Sequence, residues 1–206
     1  MPPLNRRRAI QLGLGTGAAA LLSAGLAGCW AGQSEPVNDP RITSDPPPGN
    51  GQSFDSAAEA VKSIPGLELT RFSTAPPNIK RNTGYSVHLT ITAGYEVADG
   101  PALVEYLLRT VWSVRDRHMP NSTIDFSFVD LSSPKPFDVF KALKAGKWVP
   151  AEKNGIEVTE DGYSHSGAWV DPDMDNRMSP SNLRRLGPWP GPVPTQPSGM
   201  LRKIRS

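Results

Sequence analysis

The sequence predicts an α+β fold, a two-layer sandwich with helices on one face of a mainly antiparallel sheet. Three observations predict it. Tyr85, Val87, Leu89 and Ile91 alternate with Ser86, His88, Thr90 and Thr92, so this strand has one buried face and one polar face. Leu103, Leu107, Val111 and Val114 recur at helical spacing, and Val104, Leu108 and Trp112 widen the stripe; that is the pattern of a helix lying on a core. The order of runs is short helix, strand, strand, helix, strand, helix, strand, with one further strand-like run, which fits helices and strands in separate layers.

The elements follow in order. Phe54 to Ser63 reads as a short helix capped by Ser53 or Asp55 and stopped by Pro65-Gly66. Leu67 to Phe72 has strand alternation and breaks at Pro76-Pro77-Asn78. The strand from Tyr85 comes next. Asp99-Gly100-Pro101 opens the main helix with an acid and a proline at its start; His118-Met119-Pro120-Asn121 ends it. Ile124, Phe126 and Phe128 form the apolar face of another strand, opposite Asp125 and Ser127. Ser133-Pro134 begins a second helix carrying Phe137, Phe140 and Leu143, closed by Gly146 in the C′ position. Trp148 and Val149 should fold back on it. Ile156 to Thr159 alternates again, turns at Asp161-Gly162, and has Tyr163 to Val170 as its candidate hairpin partner. The order is similar to that of ferredoxin-like halves, with no motif to settle it.

The N-terminus has a different character. Arg6, Arg7 and Arg8 precede an apolar, Gly- and Ala-rich run from Ala9 to Ala27, which ends at the only cysteine of the 206 residues. Basic residues, a short apolar run and small residues at a cut site make an export signal. Leu26-Ala27-Gly28-Cys29 resembles the lipobox of bacterial lipoproteins, position by position. The resemblance covers about the first thirty residues. It implies a diacylglycerol on the Cys29 sulfur, cleavage between Gly28 and Cys29, and a lipid anchor on the outer face of the cell membrane. The alternative is an uncleaved transmembrane anchor, which needs ~20 apolar residues; five glycines between Gly13 and Gly28 dilute the run. Asn5-Arg6-Arg7-Arg8-Ala9-Ile10 also resembles a twin-arginine signal, with Ala9 and Gln11 departing from it, so either export route remains open.

The expected organisation is a signal over 1–28, a disordered tether over 29–52, an α+β domain over 53–170 and a Pro-rich disordered tail over 171–206. The tether carries Pro36, Pro40, Pro46, Pro47 and Pro48 among small polar residues and has too little apolar surface to offset its ordering entropy. In the tail, seven prolines between Pro172 and Pro197 carry the same argument.

Net charge is +2, from 22 basic and 20 acidic residues. The signal holds three of the basic residues and none of the acidic ones, so residues 29–206 carry 19 minus 20, or −1. Nucleic acid is therefore not an expected partner. No nucleophile elbow or Gly-rich phosphate loop is present outside the signal. His88, His118 and His165 share no metal-ligand spacing. Asp171, Asp173 and Asp175 begin like an EF-hand loop, but Asn176 stands where glycine is wanted and Asn182 where the bidentate glutamate should be. No catalytic residue, metal or cofactor is assigned.

The expected function is that of an envelope lipoprotein acting as a non-enzymatic interaction module for an envelope protein. Its candidate surface is the polar sheet face of Ser86, His88, Thr90, Asp125 and Ser127, with Trp169 near its edge. The alternative is a small-ligand carrier with a pocket between sheet and helices near Trp112 and Tyr106, and an enzyme is the third reading.

Overall fold

The computed structural model describes residues 50–131, 137–149, 164–172 and 182–205. Gly28, Cys29 and the tether to residue 49 lie outside them. So do Ser133 and Pro134, the run from Ile156 to Thr159 with its turn, and Asp173 and Asp175. The helix expected from Ser133-Pro134 starts later, at Val139, because Asp138 caps it by accepting from Lys141 N, and Phe137 stands before it. Of Trp169 and His165 the backbone alone is described.

The fold is α+β, as the sequence predicts. In chain order the elements are α1 (Phe54–Lys62), β1 (Leu67–Ala75), β2 (Gly84–Ile91), β3 (Tyr95–Val97), α2 (Gly100–Trp112), β4 (Thr123–Asp130), α3 (Val139–Ala145), β5 (Ser164–Val170), α4 (Asn182–Leu186) and β6 (Leu201–Lys203). The main sheet has the order β1-β2-β4-β5, and β3 pairs with β6 in a small second sheet. Pairs β1–β2 and β4–β5 are antiparallel. The central pair β2–β4 is parallel, because α2 carries the chain back to the end from which β2 started. Such a return needs a crossover of a dozen or more residues.

The alternation read from the sequence sets the core. Val87, Leu89, Ile91, Ile124, Phe126 and Phe128 are at most 1% exposed. Leu103, Leu107, Leu108 and Val111 of α2 are buried with them. Ser53 caps α1, its Oγ accepting from Ser56 N at 3.1 Å. Asp99 caps α2, Oδ1 accepting from Ala102 N at 3.0 Å. Gly66, at φ 83°, makes the turn after α1 and lies flat against the Tyr95 ring. At the sheet's edge, β1 carries a bulge between Leu69 and Arg71, where Thr70 Oγ1 donates to His88 O at 3.0 Å. A bulge on an exposed edge twists it away from unwanted pairing.

The close of α3 differs from expectation. Gly146 is the C-cap, still right-handed at φ −75°, and Lys147, one residue later, takes the left-handed C′ position at φ 59°. Trp148 N donates to Leu143 O and Lys147 N to Lys144 O, each at 2.9 Å, which is the Schellman pattern. Glycine is needed at 146 for space: a Cβ there would lie 2.9 Å from Trp148 Cδ1. Trp148 does fold back on α3 and is 2% exposed.

The C-terminal segment corrects the tail expectation. Residues 182–205 pack on the domain. Trp112 Nε1 donates to Gly187 O at 3.2 Å, and Gly191 N donates to Trp112 O at 3.1 Å. Ala98 N and Asp99 N both donate to Met200 O, and Met200 is 2% exposed. The proline-rich stretch has few hydrogen bonds of its own to make. It is ordered by the apolar surface it covers on α2, which a local count of its own apolar residues cannot register.

Candidate functional site

The sequence-predicted polar residues do share one face of the sheet. Parallel pairing of β2 and β4 sets Ser86 opposite Asp125 and His88 opposite Ser127. On one side β1 sets Arg71 opposite His88. On the other, β5 sets Trp169 at the register position of Asp125 and Gly167 at that of Ser127. Residues two apart on a strand point to the same side, so His88, Asp125 and Ser127 are neighbours on the face away from the core. Gly167 adds no side chain to that face beside Ser127. Thr90 belongs to the same row but is only 9% exposed, which removes it from the accessible surface.

His88 Nε2 lies 3.8 Å from Asp125 Oδ2, and the two side chains are 36% and 38% exposed. That separation is an electrostatic contact and is too long for a hydrogen bond. Burial pushes the Asp125 carboxyl above its usual range, and the adjacent His88 pulls the other way. Desolvation therefore outweighs the partner. Among the described residues no hydrogen bond joins Ser127 to His88, so the three residues are not drawn up as nucleophile, base and orienter. What they offer is a carboxylate acceptor, an imidazole and hydroxyls on a shallow surface.

No family model, curated protein or solved structure matches this chain. Function is accordingly argued from the chain's own residues.

His118 stands apart from this group, its backbone carbonyl accepting from Tyr85 OH at 3.2 Å. His165 pairs with Val129, which places it on the same face, two residues from Gly167. Among the described residues no three His, Cys, Asp or Glu are placed to hold a metal ion. Nor is any helix there long and apolar enough to cross a membrane.

The carrier reading placed a pocket between sheet and helices near Trp112 and Tyr106. That space is filled by the core. Trp112 is 2% exposed and closed over by Gly191. A cleft of about 350 Å³ lies instead between α2 and the C-terminal segment, lined by Ala102, Tyr106, Pro194, Thr195 and Pro197 with Glu105 and Arg109. Glu105 Oε1 accepts from Arg109 Nε at 3.0 Å. Burial raises the Tyr106 phenol above its ordinary value. Sequence reasoning missed this cleft because one of its walls is the segment read as a tail. The one usable signal was Pro194 and Pro197 recurring beside Trp189.

Proposed function

We propose that this chain is an exported lipoprotein, held to the outer face of the cell membrane by diacylglycerol on Cys29. Its α+β domain is a non-enzymatic binding module that meets an envelope partner through the open face of the main sheet. The anchoring half rests on Leu26-Ala27-Gly28-Cys29 after a basic, Gly-rich signal. The binding half rests on one observation, the His88–Asp125 pair set into that face. A carboxylate raised by desolvation, on the sheet face away from the buried core, costs folding free energy without adding to that core. Perturbed carboxylates of this kind concentrate at functional surfaces.

The test is intact mass and membrane fractionation of the native protein beside Cys29→Ala. The expected wild type begins at an acylated Cys29 and sediments with membranes, while the variant is released or left unprocessed. A wild type that keeps Met1 and carries no lipid would overturn the anchoring. For the face, a paired His88→Ala and Asp125→Ala variant should stay folded by circular dichroism and lose crosslinks made by a photoreactive side chain at Ser86. Unchanged crosslinks would overturn the choice of surface.

The cleft at Tyr106 keeps the carrier reading as the second one, since its volume is at the lower end of small-ligand sites. A ligand seated there would raise the melting temperature of wild type and not of Ala102→Trp, which fills it.

A further inference from the structure

The end of the domain at which residue 50 lies carries an exposed apolar tip and several cations. The chain joins the described domain at Gln52, whose N–H donates to Ser113 O at 2.8 Å while Gln52 O accepts from Arg115 N at 2.9 Å. Phe54 N donates to Asp116 Oδ1 at 2.8 Å, and the Arg117 guanidinium stacks 5.1 Å from the Phe54 ring. The described chain therefore begins beside the loop that follows α2.

The loop between β1 and β2 is bound to the same place. Asn121 Nδ2 donates to Arg81 O at 2.9 Å, and Asn121 Oδ1 accepts from Thr83 N at 2.8 Å. Within that loop Asn78 Oδ1 accepts from Lys80 N at 2.8 Å and from Asn82 N at 3.0 Å. Arg81 N donates to Asn78 O at 2.7 Å, and Arg81 is held at φ 61°. These bonds fix a tight tip, and the residue at the tip is Ile79, 100% exposed. Lys80 and Arg81 follow it in the same loop, and Arg115 and Arg117 are exposed on the loop after α2 to which this loop is bound, with Asp55 and Asp116 exposed there too; Arg117 Nη1 lies 3.7 Å from Asp116 Oδ2. A pinned loop that holds a large aliphatic side chain wholly in water, next to Lys80 and Arg81 and bound to a loop carrying two more arginines, has the chemistry of an interfacial contact: the apolar tip enters the acyl boundary and the cations meet anionic headgroups.

We infer that this end docks on an anionic bilayer, with Ile79 inserted and Lys80, Arg81, Arg115 and Arg117 on the headgroups. The inference rests on the lipid anchor at Cys29, which supplies the high local concentration that lets a small contact close. Docking would hold the domain in one orientation on the membrane.

The experiment uses the full chain carrying Ile79→Cys, purified with its anchor and reconstituted into vesicles of phosphatidylglycerol and phosphatidylcholine. A thiol-reactive, environment-sensitive fluorophore is the probe. Cys29 is the only native cysteine, so one reacting thiol per chain reports a blocked Cys29, and two would overturn the anchor and this inference with it. With one reacting thiol, the emission should move to the blue on phosphatidylglycerol vesicles and stay water-like on pure phosphatidylcholine. A probe at Ala93, an exposed residue at the far end of β2, should stay water-like on both. Adding Lys80→Ala and Arg81→Ala should lower the docked-to-free ratio about fivefold for each charge removed. Water-like emission at position 79 on the anionic vesicles would overturn the docking and leave the anchor standing. So would an equal shift on neutral vesicles or at Ala93.

Discussion

Asp125 carries a half-buried carboxylate whose burial works against folding. Its native pKa lies above the unfolded value because burial outweighs the attraction of His88. Between those two values the folded chain holds more protons than the unfolded chain, so stability falls as pH rises through that window. Above it, the ionised carboxylate is a standing cost. Asp125→Asn should therefore raise the urea midpoint at pH 7. The gain should stay below about 1 kcal/mol, because a carboxylate 38% exposed is well screened, and it should shrink as pH approaches the unfolded value. An Asp125→Asn chain less stable at pH 7 would mean that the carboxylate supports the fold. That Asp125 shares a face with Ser127 was readable from alternation. That His88 comes within 3.8 Å was not, because it depends on which strand lies beside β4 and in which register. Asn182 shows the same limit. Its Nδ2 donates to Trp148 O at 3.1 Å and Asp171 O at 2.9 Å, two partners distant in sequence, and nothing local marks it as a buried bridge.

At the scale of elements, α2 and the C-terminal segment form one unit. Eight residues of α2 are buried, more than a helix with one covered face would bury. The sequence carried a hint of this: the stripe Leu103, Val104, Leu107, Leu108, Val111, Trp112 was wide, and Tyr106 and Thr110 fell outside it. The covering segment approaches closely, so that a Cβ on Gly191 would stand 2.8 Å from Trp112 Cδ1. Gly191→Ala must displace either the indole or the strap. It should cost about 1 to 3 kcal/mol, read as a lower melting temperature by roughly 2–4 °C per kcal/mol. An unchanged melting temperature would show that the segment does not seat against Trp112. Arg185 joins a second seam, donating to Gly146 O and Lys147 O at 2.9 and 2.8 Å while its guanidinium lies 3.5 Å over the Trp148 ring. This seam caps the end of α3 with a residue from α4. The desolvation it entails lowers the Arg185 pKa from its ordinary value.

For the whole molecule, the boundary at residue 52 and the packed C-terminus make opposite predictions for proteolysis. Brief digestion of the purified protein should cut before Gln52, where composition predicts a spacer and from which the chain is hydrogen-bonded to Ser113. It should leave the C-terminal segment attached through Met200, because that residue is buried and its carbonyl is held by Ala98 and Asp99. Mass spectrometry of the fragments checks both ends at once. Early loss of residues beyond Leu186 would contradict the packing of the strap.

By itself the sequence determined the class of fold, the two faces of β2 and β4, the helix of Leu103 and its neighbours, and the cap at Asp99. These follow from periodicity and capping chemistry, which act over a few residues and are written in the order of side chains. The tertiary structure alone decided the parallel pairing of β2 with β4, the bulge in β1, the left-handed Lys147, the small sheet of β3 with β6 and the burial of the proline-rich segment. Each depends on a surface contributed by residues far away in the chain, and the free energy of covering that surface outweighs the local preference of the segment that covers it.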